Sequence, residues 1–242
     1  MFKPMVVPLA QESREICVGQ VILQPISLES DRRLRSSLAM RRTQAIESIA
    51  DHPDFRPLAS IDGIGVELRY ASANNFVGRD LYSPIDCAWL HRNAAEGLAK
   101  SVAWLKQKRP QLRPLVLDAL RPQRVQEQLW EALQGTDLLG YLANPVRGSI
   151  HSFGMAVDIT LVDNSGKELD MGTLFDDLTE RSHPALESAM LLRGELSATQ
   201  IGNRQLLRDA MHEGGFKGIN SEWWHFDCGD RDVVRAEYTR IL

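Results

Sequence analysis

From about residue 65 onward, apolar and polar positions recur at the two spacings that mark strand and helix. Val66, Leu68 and Tyr70 alternate with Glu67 and Arg69, which predicts a half-buried strand over residues 66–70. Leu90, Ala94, Leu98, Val102 and Leu105 lie three and four residues apart, so an amphipathic helix is expected over 90–109, ended by Pro110. Residues 114–120 form an apolar run short enough for a buried strand. Pro122 then suits the first position of a helix that carries Val125, Leu129, Ala132 and Leu133 on one side.

The clearest strand signal is residues 155–162. Met155, Val157, Ile159 and Leu161 point one way, while Ala156, Asp158 and Thr160 point the other. A helix over 199–213 should stop at Gly214 and Gly215, followed by a strand over 223–228 and a last helix over 231–241. Strands and helices do not alternate strictly. The fold class expected is therefore α+β, with a central, mostly antiparallel sheet flanked by helices.

The first sixty residues read differently. Arg32, Arg33, Arg35, Arg41 and Arg42 fall inside a helix predicted over 28–50, which Pro53 and Pro57 break. A solvated helix face explains that charge run without any chemistry. Residues 1–60 are read as a partly helical N-terminal extension, and 61–242 as one domain.

Composition narrows the function classes. With 43% hydrophobic and 25% charged residues among 242, the chain has ordinary globular composition. A net charge of -4 provides no basic field to recruit nucleic acid or an anionic membrane, so a small-molecule substrate is expected. The apolar stretch at 5–10 contains Pro8 and is too short for a signal-peptide core or a membrane span. Cys17, Cys87 and Cys228 are odd in number and far apart, which implies no disulfide framework and favours a cytoplasmic location.

Candidate chemistry lies in two segments. A catalytic zinc site needs three protein ligands and one open position for water. Ser149-Ile150-His151-Ser152-Phe153-Gly154-Met155-Ala156-Val157-Asp158 offers an imidazole in a loop, a glycine that lets the backbone turn, and a carboxylate projecting from a strand beside small neighbours. Glu222-Trp223-Trp224-His225-Phe226 offers a second imidazole and a carboxylate suited to act as base. On a regular strand Glu222 and His225 would face opposite ways, so a bulge or turn near Trp223 is required if both serve one site. Cys228 is left out of the ligand set, because a closed tetrahedral shell would exclude the water. His52, His91, His183 and His212 are assigned no ligand role.

Six ordered segments resemble a known family. They are Tyr70-Ala71-Ser72-Ala73-Asn74-Asn75-Phe76, Asp118-Ala119-Leu120-Arg121-Pro122, the 149–158 stretch, Met171-Gly172 with Phe175-Asp176, Arg181-Ser182-His183, and Glu222-Trp223-Trp224-His225. Together they resemble the D-alanyl-D-alanine dipeptidases of the vancomycin-resistance type, zinc D,D-peptidases that share a fold with the Hedgehog signalling domain. The resemblance implies one Zn²⁺ held by His151, Asp158 and His225, with Glu222 as general base and Arg121 stabilising the oxyanion. It further implies that Asp176 and Tyr70 bind the amino end of a dipeptide and that Ser149 lies near the substrate. Asn74 departs from the pattern, where an aspartate is more familiar, as do the long extension and Ile150 and Phe153 around His151.

Two other readings are carried forward. The same fold could act as a carboxypeptidase on peptidoglycan stem peptides, or the chain could be a zinc-stabilised binding module with no hydrolytic activity.

Overall fold

The structure is a computed structural model, and it describes residues 43–242. Nine short strands and five α-helices follow one another in this region, with 3-10 turns between them. The strands are β1 (Thr43–Gln44), β2 (Phe55–Pro57), β3 (Gly65–Val66), β4 (Trp89–His91), β5 (Leu112–Asp118), β6 (Ala156–Asp163), β7 (Phe216–Gly218), β8 (His225–Cys228) and β9 (Arg240–Ile241). The helices are α1 (Arg92–Lys108), α2 (Gln123–Ala132), α3 (Glu187–Leu192), α4 (Ala198–Glu213) and α5 (Arg231–Glu237).

The central sheet has the order β3-β5-β6-β8-β7. Only β3 against β5 is parallel; the other three pairings are antiparallel, as the mixed succession of elements predicted. Every residue of β6 except Asp163 is buried, so this strand is the spine of the core. Helix α1 packs on α4 at a very close approach. A Cβ on Gly97 would lie 2.6 Å from the Gly214 carbonyl, so only glycine lets the two backbones meet there.

The register places the site. Asp118 of β5 pairs with Asp158 of β6, and Asp158 pairs with His225 of β8. Cross-strand partners share a face of the sheet, so these three polar side chains form one row. Asp118 joins it through a β-bulge: Val116 pairs with Ile159, and Leu117 is then passed over before Asp118 meets Asp158. Without that extra residue the apolar Leu117 would stand in the row instead.

Several sequence expectations need correction. The helix predicted over 28–50 lies outside the described residues as far as 42; beyond that, Thr43–Gln44 is a strand and Ile46–Asp51 a 3-10 turn. Residues 43–60, read as the end of the extension, pair with the rest of the body, β1 with β9 and β2 with β4. The alternation at 66–70 does not make a strand of that length, because the chain leaves β5 after Glu67, whose amide donates to the Val116 carbonyl, and Arg69–Ala71 turns as a 3-10 helix. The last helix ends at Glu237, and Arg240–Ile241 extends to lie beside β1, burying Ile241 against Ile46, Ile49, Phe55 and Leu120. Among the described residues no helix is long and apolar enough to cross a membrane.

Candidate metal centre

Local sequence explains how each functional side chain reaches the row. After the 3-10 turn Ile150–Phe153, Gly154 adopts φ 62°, the left-handed conformation that reverses the chain into β6. A Cβ there would lie 2.7 Å from the His91 nitrogen, so both the backbone angle and the space call for glycine. His151 is thereby held one turn away from Asp158, which projects from the strand. On the other side, residues 223 and 224 form a bend and β8 begins only at His225. The turn that the odd spacing of Glu222 and His225 demanded is present, and both residues line the same cleft.

His151, Asp158 and His225 present ligand atoms that all lie within 4.8 Å of one another. His151 Nε2 is 3.1 Å from His225 Nδ1 and 3.4 Å from Asp158 Oδ1, while His225 Nδ1 is 3.0 Å from that oxygen. The far side of each imidazole is engaged. His151 Nδ1 donates to the Ala119 carbonyl at 2.8 Å, and His225 Nε2 donates to Asp227 Oδ1 at 2.9 Å. In a neutral ring such a bond places the proton at the back and leaves a lone pair at the front. With both rings neutral, two nitrogen lone pairs and a carboxylate oxygen would face one another, an arrangement that a small divalent cation satisfies. The donor set fits zinc, with three protein ligands that leave room for a fourth.

With no cation in the row, Asp227 and Asp158 push the pKa of His225 well above the ordinary imidazole value despite burial, and the facing histidines hold Asp158 well below the ordinary carboxylate range, so a bound divalent cation would take the place of a proton here. The second oxygen of Asp158, Oδ2, accepts from Arg121 Nη2 at 3.3 Å.

Arg121 is the hub of the next layer. Its Nε donates to Asp118 Oδ2 at 2.8 Å and its Nη1 to Gln126 Oε1 at 3.1 Å, and its guanidinium lies over the Tyr70 ring at 4.9 Å. Asp118 is fully buried and also accepts from the Tyr82 hydroxyl. Two carboxylates thus neutralise a buried cation that stands just before α2, where a helix N-terminus would disfavour it.

The remaining expected residues line the same cleft of about 380 Å³. The Tyr70 hydroxyl donates to Asp176 Oδ1 at 3.1 Å. Burial pushes the Asp176 carboxyl up to about 8, and the residue sits at φ 61°, a left-handed angle uncommon outside glycine. Ser149 is buried at the start of the turn that carries His151. Burial likewise pushes Glu222 up to about 7.

Sequence reasoning assigned no role to Asp118, Tyr82, Gln126 or Asp227. Asp227 carried a usable signal, since two residues past His225 on a strand is the same face. Asp118 stood in a segment that carried the resemblance, but its periodicity gave no sign of its place in the row, which depends on the bulge. Tyr141, also unremarked, lines the cleft with its hydroxyl 2.7 Å from His183 Nε2.

The family model for peptidase M15, described as D-ala-D-ala dipeptidase, matches residues 54–241. The chain belongs to this family. A D-alanyl-D-alanine dipeptidase of Escherichia coli is 42% identical over 162 residues, which cover 67% of this chain and 77% of the relative. One from Enterococcus faecium is 28% identical over 202 residues, covering 74% of this chain and 92% of the relative. In fold, a solved LD-carboxypeptidase, LdcB, covers 79% of this chain and 80% of its own, with a TM-score of 0.42 and 16% identity. Membership makes the chain a peptidase, and the polar row across β5, β6 and β8 lies within the matched span of the D-Ala-D-Ala dipeptidase family.

Proposed function

We propose that this chain hydrolyses D-Ala-D-Ala, or a closely related D-containing dipeptide, with one zinc ion held by His151, Asp158 and His225. The observation that carries the reading is the convergence of three ligand atoms, with both imidazoles held from behind. The names of the relatives supply the substrate.

Bound there, zinc would polarise the scissile carbonyl and bring a water's pKa toward neutrality. Glu222 takes the proton from the attacking water and passes it to the departing amine nitrogen. A carboxyl raised to about 7 suits both transfers at neutral pH. Arg121 stands beside Asp158 with permanent charge, and it stabilises the negative charge that develops on the carbonyl oxygen. Asp176, with the Tyr70 hydroxyl on its other oxygen, receives the substrate's ammonium, whose arrival favours the ionised carboxylate despite burial. Ser149 contacts the substrate from the turn that carries His151.

A buried carboxyl at the amino end of the cleft is what a dipeptidase needs to reject longer chains, since an acylated amine has no charge to offset that burial. The test is a panel of D,D-, L,D- and L,L-dipeptides with a stem pentapeptide, assayed for amine release with and without a chelator. Chelator-sensitive cleavage of the D,D-dipeptide with the pentapeptide intact is the expected result. Release of terminal D-alanine from the pentapeptide would instead make the chain a carboxypeptidase, and no cleavage at all would favour a zinc-stabilised binding module.

A further inference from the structure

The two imidazoles of the site are backed differently. Behind His151 the hydrogen bond goes to a main-chain carbonyl, that of Ala119 at 2.8 Å, while the Asp118 carboxylate lies 3.6 Å from the same nitrogen, beyond hydrogen-bond reach. Behind His225 stands a carboxylate, Asp227, which is itself only 4% exposed. Asp227 is held on both sides, with Oδ1 at His225 Nε2 and Oδ2 accepting from Arg231 Nε at 2.5 Å. Arg231 is the first residue of α5, and Asp227 lies two residues after His225 on β8. One short run, Glu222-Trp223-Trp224-His225-Phe226-Asp227-Cys228-Gly229-Asp230-Arg231, therefore builds the ligand, the group behind it and the clamp on that group.

We propose that Asp227 is a positioning residue for the metal: it fixes the His225 ring with Nδ1 forward and strengthens that nitrogen as a donor. The inference rests on the zinc reading above. Its physical basis is that a neutral imidazole carries one ring proton. A carboxylate behind Nε2 holds the proton there, stops the ring from turning, and pushes electron density toward the other nitrogen. The Ala119 carbonyl can orient His151 in the same way, and the nearby Asp118 carboxylate makes no hydrogen bond to that ring, being engaged by Arg121 and Tyr82. Asp158 is weakened as a donor in the opposite sense, because Arg121 draws on its second oxygen. Of the two imidazoles, His225 is thus the one that hydrogen-bonds a carboxylate from behind, and Asp227 is that group. Arg231 offsets the buried charge of Asp227 and keeps its second oxygen from competing for the cleft.

Asp227→Asn keeps the size and an acceptor oxygen but removes the charge, whereas Asp227→Ala removes both. The measurement is competition for zinc between the chelator-stripped protein and a chromophoric chelator, on wild type and both variants. It is accompanied by the melting temperature of each zinc-free protein and the visible spectrum of each cobalt-loaded one. Wild type should bind one zinc per chain. Asp227→Ala should bind it about 10- to 100-fold more weakly, the range usual for a lost partner behind a ligand. Asp227→Asn should fall between the two, with an altered cobalt spectrum and a zinc-free melting temperature close to wild type.

Equal zinc affinity and an unchanged cobalt spectrum in both variants, with wild type binding normally, overturn the role of Asp227 and leave the zinc reading standing. A loss of affinity matched by an equal loss of zinc-free stability makes Asp227 merely structural and also overturns it. Failure of wild type to bind zinc removes the zinc reading itself and this inference with it.

Discussion

At the scale of single residues, the site is decided by which atoms carry protons. His151 and His225 are each held by a partner behind the ring, and Glu222 stands at the cleft as a carboxyl raised by burial. A general base acts in its ionised form, so kcat/KM should fall as the pH drops below about 7. A cation bound nearby lowers that midpoint further and cannot raise it. Glu222→Gln should keep one zinc per chain yet lose about 10²- to 10⁴-fold in kcat, together with this acid limb. Metal analysis and a pH–rate profile on the same preparation check both parts, and an active variant would remove Glu222 from the chemistry. The convergence of His151, Asp158 and His225, with Glu222 in the same cleft, was legible in the sequence because these are candidate ligand and base types in tight spacing. Asp118 was not, because one passed-over residue, Leu117, decides whether it faces the row.

At the scale of elements, the long helix and the spine strand were legible from periodicity alone, while 66–70 and 231–241 were not. Alternation over five residues cannot distinguish a strand from a chain that pairs twice and then turns, as it does at Val66 and Arg69. The start of α1 shows a subtler device. His91 caps that helix through its side chain, with Nδ1 accepting from the Asn93 amide at 3.2 Å, and a protonated ring could not accept this bond. Burial pushes its pKa down from 6.5 to about 4. Because the folded value is depressed, His91 contributes its stability above about pH 6.5 and loses it progressively as the pH falls to about 4. His91→Asn retains a capping acceptor that does not titrate. Urea midpoints of the zinc-free protein at pH 7 and pH 4.5 should therefore differ less in the variant than in wild type, and equal differences would deny His91 this part.

At the scale of the whole molecule, the described body is closed by its two ends. β1 lies beside β9, and Ile241 is fully buried against Ile46, Ile49, Phe55 and Leu120. No local pattern announces such a pairing, since each partner is two residues long and nearly two hundred residues apart in sequence. Ile241→Ala should cost about 2–5 kcal/mol and lower the melting temperature by about 5–15 °C, although the residue lies near the end of the chain. A calorimetric scan with no shift would mean that this closure is not part of the cooperative unit. The cleft itself assembles from β6, β8, the start of α5 and the loops around Tyr70, before α2, before β6 and before α3, so the candidate groups meet only when distant parts of the chain have come together.

The most direct test of the account is to strip the protein with a chelator and return zinc in fractions of an equivalent while following D-alanine release from D-Ala-D-Ala. Activity should start near zero, rise in proportion to added zinc, and break to a plateau at one ion per chain. Full activity in the stripped protein, or none at any zinc level, would contradict a hydrolytic centre built from His151, Asp158 and His225.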